Sequence, residues 1–187
     1  DIRELTENER RFFDKKNFLS PNFFTQTLYK FSGEILPLKF NLAIHKLVER
    51  EEMFRTNFFN TGSRVVKIIF RNRPELPEIT YRSLKHLDAD DMDETLTKIM
   101  EADRRESFDL KNDYLIRFAI FGTGENEFSL LITMSMLIAE SFDEKNFFRY
   151  IGETGEYKPK VTVSSMTGKS TVPAKKYWEN ILKDLPE

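Results

Sequence analysis

The chain has 187 residues, a net charge of −2 and no cysteine, and 40% of its residues are hydrophobic. This length fits one domain or one lobe, with enough apolar material to bury a sizeable core. Because 29 basic residues balance 31 acidic ones, the charge gives no reason to expect nucleic acid or an anionic membrane as a partner. The lack of cysteine excludes disulfides, thiolate metal sites and thiol catalysis, and it fits a cytoplasmic location.

Two further function classes are excluded by residue counts. The only histidines are His45 and His86, so a metal site with three histidine ligands is impossible. The longest apolar run, residues 128–139, is shorter than the roughly 20 residues that a membrane-spanning helix needs. We therefore expect neither a bound metal nor a membrane-spanning segment.

The first third of the chain predicts a strand followed by a helix. Residues 25–31 alternate polar and apolar side chains and end at Ser32-Gly33, which is typical of a strand. Residues 38–53 predict a helix with Pro37 in its first turn. One apolar stripe of this helix is expected to face the core, and it comprises Phe40, Ala43, Ile44, Leu47 and Val48.

A hairpin and a further short strand are predicted next. Residues 54–59 and 65–70 have strand patterns, and the segment 60–63, Asn-Thr-Gly-Ser, is a strong hairpin signal. Residues 78–81 predict a short strand.

The middle of the chain predicts a second helix and a strand pair. Residues 92–105 have a helical pattern, with Asp91 and Glu94 as its cap and first-turn acid. Residues 114–121 and 128–138 predict two strands paired around a Gly-rich turn.

The last third predicts two helices separated by a loop. One helix follows Ser141, because Glu144 stands at the capping-box spacing. Residues 152–172 are polar and predict a loop that holds a short strand at 161–163. Residues 173–185 predict a closing helix, whose apolar stripe consists of Ala174, Tyr177, Trp178, Ile181, Leu182 and Leu185. This order of elements predicts a single two-layer α/β (α+β) lobe over residues 1–187, with a largely antiparallel sheet.

Four segments resemble condensation domains of nonribosomal peptide synthetases and the wider chloramphenicol-acetyltransferase-like superfamily. Residues 5–13 are similar to the family's entry segment. The sequence LVEREEMFRT at 47–56 resembles the family's LVxRHExLRT, and residues 107–117 resemble PFDLxxxPLLR. Residues 177–182 are similar to the YWxxxL helix. The resemblance implies the chloramphenicol-acetyltransferase-like fold and the N-terminal one of the family's two lobes.

The family's HHxxxDG motif is degenerate in this chain. The matching positions follow a long predicted strand, with Ser135 and Met136 in place of the two histidines. Glu140 stands for the aspartate and Ser141 for the glycine. In the LVxRHExLRT-like segment, Glu51 replaces the family's histidine.

The resemblance implies a chemistry that the changed residues cannot support. In the family, an amine on one carrier-protein arm attacks a thioester on another, and the second histidine acts as base or orients the amine. A thioether is a weak acceptor that does not titrate near neutral pH, so Met136 cannot take this role. No catalytic residue is therefore expected to be intact. No cofactor is expected to bind, and the phosphopantetheine arm of a carrier protein is implied as the substrate carrier.

Alternative roles for the motif residues are weaker. Ser135 as a nucleophile needs a base, and both histidines are expected on solvated surface. Glu140 could act as a relocated base. The resemblance instead implies a structural ion pair with Arg55, which would weaken Glu140 as a base.

Three functions follow as hypotheses. The first is a non-catalytic lobe that serves as a scaffold or docks a peptidyl or acyl carrier protein and neighbouring synthetase domains. The second is atypical acyl or aminoacyl transfer from phosphopantetheine thioesters when the second lobe is present. The third is a superfamily acyltransferase outside peptide synthesis. A solitary lobe should also expose apolar surface. We therefore expect either a second condensation lobe or self-association that buries the sheet edge near the motif strand.

Overall fold

The computed structural model describes residues 1–14, 24–33, 36–73 and 75–154. Within these ranges the chain forms seven strands, five α-helices and a short 3-10 helix at Glu52–Arg55, arranged around two sheets. The predicted strand at 161–163 and the closing helix at 173–185 lie outside the described residues. The predicted polar loop at 152–172 is described only in its first three residues, and these belong to the helix Glu144–Thr154.

The smaller sheet confirms the predicted hairpin. Strands β3 (Thr56–Asn60) and β4 (Val65–Ile69) are antiparallel, and the short strand β1 (Ile2–Arg3) pairs with the other edge of β4. The hairpin turns at Gly62, whose φ of +87° is the left-handed conformation that glycine adopts without steric cost. The side chain of Asn60 accepts a hydrogen bond from the Gly62 amide at 2.8 Å and fixes this turn.

The larger sheet has four strands in the order β2-β7-β6-β5. They are β2 (Phe24–Ser32), β5 (Ile79–Ser83), β6 (Ile116–Gly124) and β7 (Glu127–Ser135). All neighbours are antiparallel except β5 and β6, which are parallel. Strand β7 is paired on both sides, and the edge of the sheet near it is strand β2.

Helices cover both faces of the larger sheet. On one face, α2 (Pro37–Arg50) and α5 (Glu144–Thr154) pack against β6, with the rings of Phe40 and Phe147 at 5.9 and 5.8 Å from Phe118. On the other face lies α3 (Ala89–Arg104). Its core residues Leu96 and Met100 form a second apolar cluster with sheet residues Leu28, Phe121 and Leu131. The α+β fold class is thus confirmed, with helices on each side of the sheet.

The predicted inner stripe of α2 is confirmed, because its five residues are the buried residues of this helix. Two predicted helix caps are wrong. Asp88, rather than Asp91, caps α3, since its Oδ1 accepts a hydrogen bond from the Asp91 amide at 2.9 Å. Asp143, rather than Ser141, caps α5 by accepting from the Asn146 amide at 3.0 Å. In both cases the cap is an aspartate three residues before the amide from which it accepts a hydrogen bond.

The remaining helices frame the end of β7. Helix α1 (Glu7–Asp14) follows β1, and the single turn α4 (Met136–Ala139) follows β7 directly. The apolar character of residues 136–138 had indicated a continuation of the strand, but these residues are helical. Among the helices of the described ranges, none combines the length and the hydrophobicity that a bilayer span requires.

Candidate active site at the end of strand β7

Ser135 is the junction between β7 and α4. Its amide donates to the Leu115 carbonyl at 2.8 Å, and its Oγ accepts from the Leu137 amide at 3.3 Å. The side chain is an N-cap of α4 and is only 3% exposed. Its oxygen therefore faces the first turn of α4 and is shielded from solvent.

Met136 is the first residue of α4 and lies in the main apolar core. It is 3% exposed and clusters with the buried residues of α2, β6 and β7. A thioether in this environment offers no titratable group. The position that carries a histidine in the resembled motif is thus occupied by a side chain that packs in the core.

Glu140 and Arg55 do not form the predicted ion pair. Glu140 is exposed at the end of α4, and both of its carboxylate oxygens lie 3.2 Å from Nδ2 of Asn8 in α1. Arg55 donates through Nη1 to the Phe70 carbonyl at 2.5 Å, and the Phe70 amide donates back to the Arg55 carbonyl at 2.9 Å. The pairing of β3 with β4 thus holds Arg55, and the end of α4 directs Glu140 toward α1.

The Arg55 guanidinium does not use all of its hydrogen-bond donors. Its Nε is buried and has no hydrogen-bond partner among the described residues. A buried donor without an acceptor costs about 1–3 kcal/mol. Arg55 therefore lies in an environment that could accept a carboxylate, but Glu140 does not supply it.

Glu51 joins the ends of two helices. Its amide donates to the Leu47 carbonyl at the end of α2, and its Oε1 accepts from Nδ2 of Asn146 in α5 at 3.2 Å. The residue that stands for the family's histidine in this segment is therefore a structural link between α2 and α5.

A polar groove of about 300 Å³ lies beside α4. The guanidinium of Arg3 binds both carboxylate oxygens of Glu52 at 2.8 Å, and this hydrogen bonding lowers the pKa of Glu52. Lys67 Nζ contacts the Glu9 carboxylate at 2.8 and 3.1 Å. These pairs neutralise most of the charge in the groove. Its wall on the α4 side is formed by Leu137, Ile138 and Ser141.

Neither histidine supplies a base to this groove. His45 is exposed on α2, with Nδ1 3.5 Å from Glu49 Oε1, and His86 is exposed after β5. Neither residue lines the groove. The predicted solvated positions of both histidines are confirmed.

A partly buried polar row, which was not predicted from the sequence, crosses the larger sheet two residues before Ser135. Gln26, Thr133 and Arg117 lie in register on β2, β7 and β6. All three converge on the carboxylate of Asp103 in the last turn of α3. Asp103 accepts from Thr133 Oγ1 and Gln26 Nε2 at 2.6 Å each and from Arg117 Nε at 2.5 Å. The feature of the sequence that could have indicated this row is that each of the three strands carries a polar side chain among apolar ones.

A second buried polar residue anchors the segment that resembles PFDLxxxPLLR. Asn57 on β3 is fully buried. It donates to the carbonyls of Leu110 and Asp113 at 3.1 and 2.7 Å and accepts from Arg73 Nη1 at 2.8 Å. The segment before β6 is thereby fixed against the smaller sheet. Within the described ranges, no group of three or more histidine, aspartate or glutamate side chains is arranged to hold a metal ion.

Solved structures that share this arrangement of sheets and helices include a condensation domain. The starter condensation domain of rhizomide synthetase RzmA matches with a TM-score of 0.69 at 10% identity, over 99% of this chain and 46% of that chain. The tallysomycin biosynthesis protein TlmII matches with a TM-score of 0.61 at 16% identity, over 82% of this chain and 37% of that chain. The fold is thus one lobe of the chloramphenicol-acetyltransferase-like fold.

Sequence comparison defines the family. The Condensation domain family matches residues 4–139, and the chain belongs to this family. Two different plipastatin synthase subunits of Bacillus subtilis are similar to it, one 27% identical over 118 residues and the other 29% identical over 138 residues. The matches span 63% and 70% of this chain, but only 3% and 5% of those much longer proteins.

Proposed function

We propose that this chain is a condensation-domain lobe of a peptide synthetase that does not form amide bonds itself. Its role is to act as a scaffold or to dock a carrier protein or a neighbouring synthetase domain. The observation that carries the proposal is the burial of Ser135 and Met136, each 3% exposed, at the positions where the resembled motif has histidines.

Amide formation needs a proton acceptor at this place. The amine nitrogen attacks the thioester carbonyl carbon, the C–N bond forms, the C–S bond breaks, and the phosphopantetheine thiol leaves. The proton of the amine must pass to an acceptor, and loss of a general base lowers the rate by roughly 10²–10⁴-fold. Met136 has no such acceptor, and Ser135 Oγ already accepts from the Leu137 amide.

Glu140 is not well placed as a substitute base. It is exposed beyond α4, it is bound by Asn8, and it does not line the polar groove. In this proposal Glu140 therefore does not face the groove beside α4.

The test uses the 187-residue chain with donor and acceptor carrier proteins that are loaded through phosphopantetheine. Intact-protein mass spectrometry should detect no condensed product above the reaction without the chain. The variant with Ser135→His and Met136→His should also stay inactive, since the 187 residues correspond to less than half of a solved two-lobed domain. Titration with labelled carrier protein should show binding. Turnover by the chain contradicts the non-catalytic role, and absence of binding contradicts carrier docking.

The second candidate function is atypical acyl or aminoacyl transfer with a second lobe present. It is favoured by the length of the solved relatives, of which this chain covers only 37–46%. A complete channel could accelerate the reaction by positioning alone, because proximity lowers barriers without a base. This candidate requires turnover by the native full-length protein, and an inactive full-length protein would exclude it.

A further inference from the structure

A cleft of about 630 Å³ opens where strands β1 and β4 of the smaller sheet separate. Strand β1 pairs with β4 only at residues 67 and 68, and the chain turns toward α1 after Arg3. On this side the first two residues of β4, Val65 and Val66, have no partner strand within the described ranges. The volume of the cleft lies within the roughly 300–1,000 Å³ that is typical of ligand sites.

The backbone of Val65 points into this cleft. Successive residues of β4 turn their amide and carbonyl groups alternately toward β3 and toward β1. The Asp1 amino group donates to the Ile69 carbonyl at 2.8 Å, and the Ile69 amide donates to the Asp1 carbonyl at 2.8 Å. The backbone groups of Ile69, Lys67 and Val65 therefore point toward β1. Those of Val65 have no hydrogen-bond partner among the described residues, and an open edge of this kind can accept a further strand.

The side of the cleft next to α1 is apolar. The Val65 side chain lies on the face of the sheet that carries α1, as does that of Lys67, whose Nζ contacts Glu9. Val65, Leu5 and Phe13 are partly buried and pack against the main core. Because side chains alternate between the two faces of a sheet, a strand added beside Val65 would place every second side chain against these three residues. Those side chains should therefore be apolar.

The rim of the cleft carries an arginine that lacks a counter-ion. Three arginines line the cleft, namely Arg3, Arg10 and Arg64. Arg3 pairs with Glu52 and Arg10 pairs with Glu4, whereas the exposed Arg64 forms no ion pair with any residue that the structure describes. Arg64 directly precedes Val65, so alternation along the chain directs its side chain to the face away from α1. The other side chains of an added strand reach this face, where a carboxylate can pair with Arg64.

We propose that this cleft binds an extended segment of a partner protein in which apolar and acidic residues alternate. The segment takes the place beside β4 that β1 leaves open. Its main chain exchanges hydrogen bonds with Val65, its apolar side chains pack on Leu5 and Phe13, and its carboxylates pair with Arg64. This contact does not require the binding of a carrier protein, so the two kinds of binding can be measured separately and each can fail without the other.

The probe is the peptide Glu-Val-Glu-Val-Glu, blocked at both ends and added to the 187-residue chain labelled with ¹⁵N. At saturation the amide resonance of Val65 should shift, and hydrogen exchange at this amide should slow by about tenfold or more. Arg64→Glu should raise the Kd of the peptide by about tenfold or more. Arg71→Glu is the matched control, because it makes the same charge change at an exposed residue beyond the other end of β4, and it should leave the Kd nearly unchanged.

A second peptide tests the pairing of the backbones. The same peptide with both valines N-methylated keeps its charges and apolar side chains but loses the amides that would pair with Val65, and its Kd should be higher by about tenfold or more. Absence of binding, equal affinity of the two peptides, or a Kd that Arg64→Glu leaves unchanged overturns the proposal. A dimer of the chain that Arg64→Glu abolishes would also overturn it, because a second copy would then occupy the cleft.

Discussion

Arg117 and Asp103 form an ion pair that ties the last turn of α3 to strand β6, with Nε and Oδ1 2.5 Å apart. Their side chains are only 11% and 18% exposed. The Arg117 guanidinium also lies 4.5 Å from the ring of Phe108, so one side chain joins α3, β6 and the segment between them.

Asp103→Ala should strongly destabilise the lobe. It leaves Arg117 as an uncompensated, largely buried charge and removes the acceptor of Thr133 and Gln26. Breaking a buried pair in this way costs about 3–5 kcal/mol in the free energy of unfolding. Urea denaturation measures the effect. Glu94→Ala, which removes an exposed pair with Lys98, is the control and should leave the midpoint unchanged. A small effect of Asp103→Ala would mean that water accepts the hydrogen bonds of Gln26, Thr133 and Arg117 in place of the carboxylate.

Glu9 should contribute to the stability of the lobe in two separable ways, through a helix cap and through an ion pair. It forms a capping box with Thr6. Glu9 Oε2 accepts a hydrogen bond from the Thr6 amide at 2.7 Å, and Thr6 Oγ1 accepts one from the Glu9 amide at 3.2 Å. It also pairs with Lys67, and the two side chains are 12% and 16% exposed. Glu9→Gln keeps an acceptor for the cap but loses the ion pair, whereas Glu9→Ala loses both.

We expect Glu9→Ala to be less stable than Glu9→Gln by about 1 kcal/mol, the usual worth of a helix cap. Thermal unfolding of both variants and of Lys67→Met separates the two contributions. Equal stability of the two Glu9 variants would show that the cap contributes nothing.

Truncation of Met136 should destabilise the lobe far more than truncation of Glu140. Met136→Ala removes a buried side chain and should cost about 2–5 kcal/mol. Glu140→Ala removes an exposed carboxylate that is bound by Asn8, and it should change stability by no more than about 0.5 kcal/mol. Chemical denaturation of the two variants is the measurement. A large loss for Glu140→Ala would support the ion pair with Arg55 that the family resemblance implies.

Asp109 should make stability depend on pH in the acidic range. Hydrogen bonds from the Asn112 side chain and from the Lys111 amide lower the pKa of its carboxyl in the folded chain. Because the pKa is lower in the folded state, the ionised form stabilises the fold above an unfolded pKa of about 3.9. This contribution is lost as the pH falls through the lower folded pKa.

Urea midpoints between about pH 6 and pH 2 should therefore fall less steeply for Asp109→Asn than for the parent. Asn112→Ala, which removes the donor with the largest effect on the pKa, should lie between them. Identical pH profiles for all three proteins would contradict this linkage.

Local patterns in the sequence predicted most elements of the fold. The inner stripe of α2 and the hairpin at Gly62 depend on neighbouring residues, and both were predicted correctly. The parallel pairing of β5 with β6 was not predicted, because it depends on how α3 crosses the sheet. The short helix α1 was predicted only as an entry segment resembling that of the family.

The candidate site was predictable in position but not in detail. The motif alignment located Ser135 and Met136 at the end of a long strand, where the structure has them. The partners of Arg55 and Glu140 depend on the direction of side chains at the ends of β3 and α4, which sequence spacing does not encode. The polar row around Asp103 requires the register of three strands, and that register is a tertiary property.

The register of the larger sheet also sets the order in which the lobe can be assembled on the ribosome. Strand β2 is made early, but its pairing partner β7 lies roughly a hundred residues later in the chain. At a synthesis rate of about 5–20 residues per second, β2 remains unpaired for several seconds after it emerges. Its phenylalanines and leucine are exposed to other chains during this time. Chaperone demand during translation should therefore be concentrated on the first third of the sequence, and it should end when β7 leaves the exit tunnel.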